Sequence, residues 1–315
     1  MTNAFPRVAF VGAGNMAREH MRAFADVPGV GLAGVYSRTT ARAKAIAAEF
    51  GVSEVCKSIA ELHERTRAQL VIVAVSELSV RDVCLEAFKY PWTCLVEKPA
   101  GYNVADAEAI AAAAHRLGRQ AFVALNRRHY SSTKTVVEDL AASEEQRLVH
   151  VYDQQDHNVT RALGHPELVV QNLIYANSIH VIDYLRVLGR GEITAIEPTI
   201  RWDPEHPRFV AAKVSYSSGD IGLYEAVWNG PGPWAVTVTT QAKRWELRPL
   251  EQAAFQPYGS RKLEPVAIHE WDTKFKPGFR AQAEEAVKAA QGRAHSLPTL
   301  GEALVSMRLV ERIYA

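Results

Sequence analysis

Short, unrelieved apolar runs alternate with amphipathic stretches over the first 125 residues. Arg7-Val-Ala-Phe-Val11, residues 30–36, Leu70–Val75, residues 93–96 and residues 120–125 are such runs. A strand covered on both faces shows this continuous pattern rather than an alternation. Residues 15–24, 41–50 and 104–117 read as helices that end at Pro28-Gly29, Gly51 and Gly118, and residues 80–89 read as a further helix. Glycine and proline punctuate helix ends in this way. Strands alternating with helices predict a parallel, doubly wound α/β sheet.

The pattern changes near Leu125, which sets expected domains of 1–125 and 126–315. Helices are expected near 131–143 and 167–188, then a strand-rich stretch from about 192 to 270. Five of the six tryptophans lie in or beside that stretch. Tyr224 and Trp228 fall on one strand face, Leu223 and Val227 on the other, because strand side chains alternate. Asn229-Gly-Pro-Gly-Pro233 reads as a turn between two such strands. Strands without intervening helices predict a C-terminal α+β domain with a mostly antiparallel, open sheet. Helices at 279–291 and 300–314 close the chain, and the last is expected to reach back to the first domain.

Composition narrows the field. At roughly 150 residues per domain, 315 residues make two. Hydrophobic residues at 48% and charged residues at 23% exclude a disordered chain. Lys plus Arg is 36 against 35 for Asp plus Glu, a net charge of +1. That balance gives no global attraction to nucleic acid or an anionic membrane. Cys56, Cys84 and Cys94 are odd in number and lack CxxC spacing. They read as buried thiols in a reducing compartment, and a cytoplasmic protein is expected. His63-Glu64 lacks the second histidine of a zinc helix, and His157 and His165 lack a third ligand, so no metal is expected.

Gly12-Ala-Gly14-Asn15-Met16-Ala17 follows the first strand and opens a helix. Gly12 permits a tight turn, and Gly14 lets a pyrophosphate approach the backbone at the helix N-terminus. Placed there, the motif points to a dinucleotide-binding Rossmann fold. The second strand ends in Tyr36-Ser37-Arg38-Thr39-Thr40, with no acid for a ribose 2′-hydroxyl, and Asp26 precedes the strand. Ser37 and Arg38 suit a 2′-phosphate, so NADP is expected over NAD. Arg38 as a solvated cation, or stacked on adenine, is the plainer alternative. Ser76 follows the third strand and Glu97-Lys98-Pro99 the fourth, at the carboxyl edge where ligands bind. Tyr130 and Lys134 have the spacing of short-chain dehydrogenases, but Leu117 stands where that family needs serine, so the match is coincidence. Asn177, His180 and Asp183 or Tyr184 lie three or four apart, which puts them on one helical face. Asp183 could orient His180; a structural histidine is the alternative.

The chain resembles the glucose–fructose oxidoreductase / inositol dehydrogenase family (Gfo/Idh/MocA) over nearly its whole length. The likeness rests on the Gly12 motif, Glu97-Lys98-Pro99, Asn126-Arg127-Arg128, Ile179-His180 to Leu185 and the closing segment from Pro298. It implies hydride transfer between a nicotinamide and a sugar, cyclitol or related hydroxy/keto compound. It implies Lys98 beside the nicotinamide and the reacting oxygen, and His180 as acid/base. Gly12, Gly14, Asn15, Met16, Ser37, Arg38, Ser76, Glu97 and Lys98 would line the cofactor. Asn126, Arg127, Asn177, Lys98 and His180 would meet substrate. The second-domain sheet would form the substrate wall and the interface of a homodimer or homotetramer. Two positions depart: Ala176 stands where relatives often carry aspartate, and Ser76-Glu77 where they carry Thr-Pro. A non-catalytic nucleotide or metabolite sensor that keeps the fold is the rival expectation.

Overall fold

Six parallel strands organise the N-terminal part of the chain. This computed structural model describes residues 6–315. The strands are β1 (Arg7–Val11), β2 (Gly31–Tyr36), β3 (Val55–Cys56), β4 (Leu70–Val73), β5 (Thr93–Glu97) and β6 (Ala121–Ala124), in the order β3-β2-β1-β4-β5-β6. The connections are α1 (Asn15–Ala25), α2 (Thr40–Phe50), α3 (Ile59–Thr66), α4 (Val80–Ala87) and α5 (Val104–Arg116). Strand order reverses between β1 and β4, so the sheet is doubly wound, as the pattern predicts. The pleat explains the continuous apolar runs. Val8, Phe10, Leu70, Ile72 and Leu95 enter one core layer. Ala9, Val11, Val71, Val73, Cys94 and Val96 enter the other. β3 and α3 were not expected: β3 has only two residues, and α3 is rich in Glu, His and Arg. Its N-terminus is set by Ser58, whose Oγ accepts the Glu61 N–H at 3.0 Å, a side-chain cap for an otherwise orphaned donor.

The middle of the chain forms a second sheet. α6 (Ser131–Ala141) leads into β7 (Leu148–Gln155), α7 (His157–Ala162) and α8 (Glu167–Gln171). A π-turn at Ile174–Ser178 then runs into α9 (Ile179–Leu188). The rest is β8 (Ile193–Ile200), β9 (Phe209–Tyr216), β10 (Ile221–Trp228), β11 (Ala235–Thr239), β12 (Lys243–Leu247), β13 (Ala253–Pro257) and β14 (Glu264–Pro265). Their order is β14-β13-β12-β11-β7-β10-β9-β8. β7 and β10 run parallel, while the other neighbours are antiparallel. Tyr224 and Trp228 are buried, whereas Leu223 and Val227 are half-buried on the opposite face, as alternation predicts. One expectation changes: the strands begin at residue 148 rather than near 192. Asn229–Pro233 links β10 to β11, the turn between strands that the sequence predicts, and the two strands it joins flank β7.

The chain then returns to the first unit. α10 (Glu270–Lys274) and α11 (Phe279–Ala290) precede the closing α12 (Leu300–Ile313). Residues up to His129 cluster with Trp271–Leu304, and Tyr130–Glu270 with Val305–Ala315. Phe279, Ala283, Ala286 and Val287 of α11 share a core layer with Ala17, Met21 and Phe24 of α1. Arg280 Nε donates to Asp26 Oδ2 at 2.7 Å, and its guanidinium lies 4.4 Å from the Trp271 ring centroid. The Val123 N–H donates to the Pro298 carbonyl at 2.9 Å, extending the β6 edge. Cys56, Cys84 and Cys94 are buried and form no disulfide, and burial pushes the Cys94 thiol up to about 12.

Candidate active site

The turn after β1 is built for close approach. Gly12 has φ of +119°, a region that side chains resist. A Cβ added there would fall on the carbonyl oxygen of Ala74. Its N–H donates to the Tyr36 carbonyl at 2.8 Å, tying the turn to β2. Gly14 is the N-cap of α1, exposed, with open space where a Cβ would stand. The first-turn N–H groups of α1 therefore face a surface that a pyrophosphate can reach, and a dinucleotide fits. Asn15 is exposed and Met16 half-buried at that helix start. Beyond β2, Arg38 is exposed and the Ser37 Oγ accepts the Thr39 N–H at 3.3 Å. Ser76 is exposed after β4, its carbonyl accepting the Ser79 N–H.

Lys98 stands just beyond β5, at the carboxyl edge of the same sheet. Burial lowers its ammonium to about 8; Glu97 and Glu77 oppose that fall, and Arg127 and Lys276 reinforce it. Water stabilises an ammonium better than a protein interior does, so desolvation favours the neutral amine. Glu97 is buried, its Oε2 accepting the Lys98 N–H at 3.1 Å. Asn126, also buried, donates from Nδ2 to the Pro277 carbonyl at 3.0 Å. Arg127, half-buried, belongs to the charges around Lys98. Glu77 stands out in the sequence only as a departure from the family pattern, and Lys276 not at all. Lys276 lies 178 positions from Lys98, and no local pattern carries that proximity.

The second unit gathers its own polar cluster. His180 is 7% exposed at the start of α9, with its ring centroid 6.2 Å from that of Trp234. Asp183 Oδ1 accepts the Ser306 hydroxyl at 2.6 Å, and Arg186 donates to the same Oγ at 3.1 Å. Tyr184 is turned to Thr133, at 2.8 Å. Asn177 lies in the π-turn, so the spacing of one regular helix does not extend from it to His180. Its Nδ2 donates to Gln155 Oε1 at 2.9 Å. Gln155 donates to Asp153 Oδ1 at 2.7 Å, and Tyr224 donates to Asp153 Oδ2 at 2.7 Å. Burial raises the Asp153 carboxyl above its usual range, against hydrogen bonds from Ser178, Tyr224 and Gln155 that favour the charge. Asp153 and Gln155 were missed because they sit on inward positions of β7, where apolar residues are expected.

Comparison with known proteins bears on the first 125 residues and on the fold. Residues 6–125 match the family described as an oxidoreductase family with an NAD-binding Rossmann fold (Gfo/Idh/MocA). A 4-carboxy-2-hydroxymuconate-6-semialdehyde dehydrogenase from a Sphingobium species is 24% identical over 238 residues, 72% of this chain and 73% of that protein. Levoglucosan dehydrogenase, solved with NADH and levoglucosan, superposes with a TM-score of 0.81 at 15% identity, covering 98% of this chain and 96% of that one. UDP-N-acetylglucosamine 3-dehydrogenase from Acidithiobacillus ferrooxidans gives 0.76 at 16% identity, covering 97% and 94%. These structures share the fold.

Proposed function

We propose, from the match of residues 6–125 to the Gfo/Idh/MocA oxidoreductase family and from the residues gathered at the sheet edge, the reaction that this chain runs. It transfers hydride between a nicotinamide and a hydroxyl or carbonyl carbon of a sugar, cyclitol or related hydroxy/keto compound. The observation that carries the reading is Lys98: an amine at the ligand-binding edge whose proton is held at about 8. The bound nicotinamide supplies or accepts the hydride. The chain's part is to hold that dinucleotide on the Gly12–Gly14 turn and to move a proton at Lys98 Nζ. Below about pH 8 the ammonium donates to a carbonyl oxygen being reduced; above it the amine accepts from a hydroxyl being oxidised. His180 and Asn177 serve as the polar groups of the second unit toward substrate, and Asp183 supports His180.

Ser37 and Arg38 favour NADP(H) over NAD(H). The chain works as a homodimer or homotetramer in the cytoplasm. Among the described residues no helix is long and apolar enough to cross a membrane, and the three cysteines form no disulfide.

A turnover screen tests the function. Hydroxy and keto compounds, including acids because Arg127 and Lys276 lie near Lys98, are offered with both cofactors. We expect turnover whose reductive rate falls, and oxidative rate rises, as pH passes through about 8. Lys98→Met should cut kcat by about 10²-fold or more and leave cofactor affinity nearly intact. Near-normal turnover in that variant would sink the assignment.

A further inference from the structure

The buried residues of α1 are Ala17, His20, Met21, Ala23 and Phe24. Four of these are apolar core. His20 is the exception, 1% exposed, with its ring centroid 4.7 Å from that of Phe279. An imidazole buried among aromatic rings needs a polar partner. Its Nε2 lies 2.7 Å from Glu97 Oε1. Glu97 is itself only 6% exposed, and its other oxygen accepts the Lys98 N–H at 3.1 Å. One carboxylate thus joins the helix that opens on the glycine turn to the residue that carries the amine.

A buried carboxylate keeps one orientation only while its oxygens have hydrogen-bond partners. His20 provides that pairing from a different element, 77 positions away. The charged groups that face Lys98 are Glu97, Glu77, Arg127 and Lys276, and Glu97 has the largest influence among them. Whatever holds Glu97 therefore acts on Lys98 twice, through its backbone N–H and through its charge. Space-filling alone does not explain a histidine here, because Leu or Met would serve beside Phe279 without a buried polar atom.

We propose that His20 is a positioning residue for Lys98: it holds the Glu97 carboxylate in place and through it fixes the orientation and charge state of the lysine. This rests on the reading of Lys98 as the proton-exchanging group.

The test measures Lys98 directly, without substrate. The pH dependence of Lys98 modification by an amine reagent, read peptide by peptide in a mass spectrometer, gives its titration midpoint. His20→Leu fills the space and removes the ring nitrogen, so Glu97 Oε1 loses its hydrogen-bond partner and the carboxylate is no longer held against Lys98. The midpoint should fall by about one unit or more. His20→Gln keeps a neutral donor of similar reach, and its midpoint should stay near that of the unaltered protein. An unmoved midpoint in His20→Leu overturns the proposal, as does an equal shift in both variants. If His20→Leu does not fold, Glu97→Gln takes its place: the bond partner remains and the charge goes, so the midpoint should fall, and an unmoved one is equally fatal. An unmoved midpoint beside an inactive Lys98→Met refutes the coupling alone. A moved midpoint beside a fully active Lys98→Met upholds the coupling and refutes the catalytic reading of the lysine.

Discussion

Arg38 shows what single side chains decide. It stands exposed past the end of β2, next to Ser37, and a guanidinium can grip a phosphate with two parallel hydrogen bonds. Titration calorimetry should find NADP(H) bound more tightly than NAD(H). Arg38→Ala should weaken NADP(H) by about tenfold or more, the scale of a hydrogen bond to a charged group, and leave NAD(H) nearly unchanged. Equal or tighter NAD(H) binding to the unaltered protein counts against this. The places of Arg38, Gly12 and Lys98 at strand ends were legible in the sequence because each belongs to a short motif there. Glu77, Lys276 and His20 were not, because their relation to Lys98 and Glu97 is made by the sheet edge and by α1, across distances in the chain that no spacing rule spans.

Elements obey the same division. The continuous apolar runs of β1, β2, β4, β5 and β6 could be read directly, since both faces of that sheet are covered by core layers. β7 could not, although it lies at the centre of the second sheet. Its inward positions pass from Val149 and Val151 to Asp153 and Gln155, all buried. A strand whose inner face turns polar gives no clean period of two, and only the hydrogen bonds to Tyr224 and Asn177 reveal why that polarity is tolerated. The glycine turn makes the element-scale prediction. Gly12→Ala forces a side chain into a left-handed backbone and onto the Ala74 carbonyl. It should cost about 1–3 kcal/mol, lowering the Tm by about 2–10 °C in a thermal melt. Gly14→Ala has open space and an ordinary φ of −94°, so it should melt like the unaltered protein while binding dinucleotide more weakly. Equal melting of both variants would contradict the role of Gly12.

Association belongs to the whole molecule. The outward face of the second sheet keeps Leu148, Ile200 and Phe209 exposed, Phe209 at 56%, with Leu223 and Val227 half-buried at outer positions of β10. Apolar side chains gathered on an open sheet face mark an interface. Light scattering at micromolar concentration should therefore give a dimer or larger species. Phe209→Glu should shift it toward monomer, and a monomeric unaltered protein would refute the interface.

The return of residues 271–304 to the first unit has a consequence for how the molecule is made. Until α11 emerges from the ribosome, the α1 surface formed by Met21 and Phe24 lacks the Phe279, Ala283 and Val287 side chains that complete its core layer. About 140 residues separate His129 from that return, which at ~5–20 residues per second is roughly 7–28 s of synthesis. For that interval the nascent chain carries a finished parallel sheet with one apolar helix face uncovered. Chaperone demand should therefore peak late, while the second sheet is still being translated, rather than when the first six strands are complete.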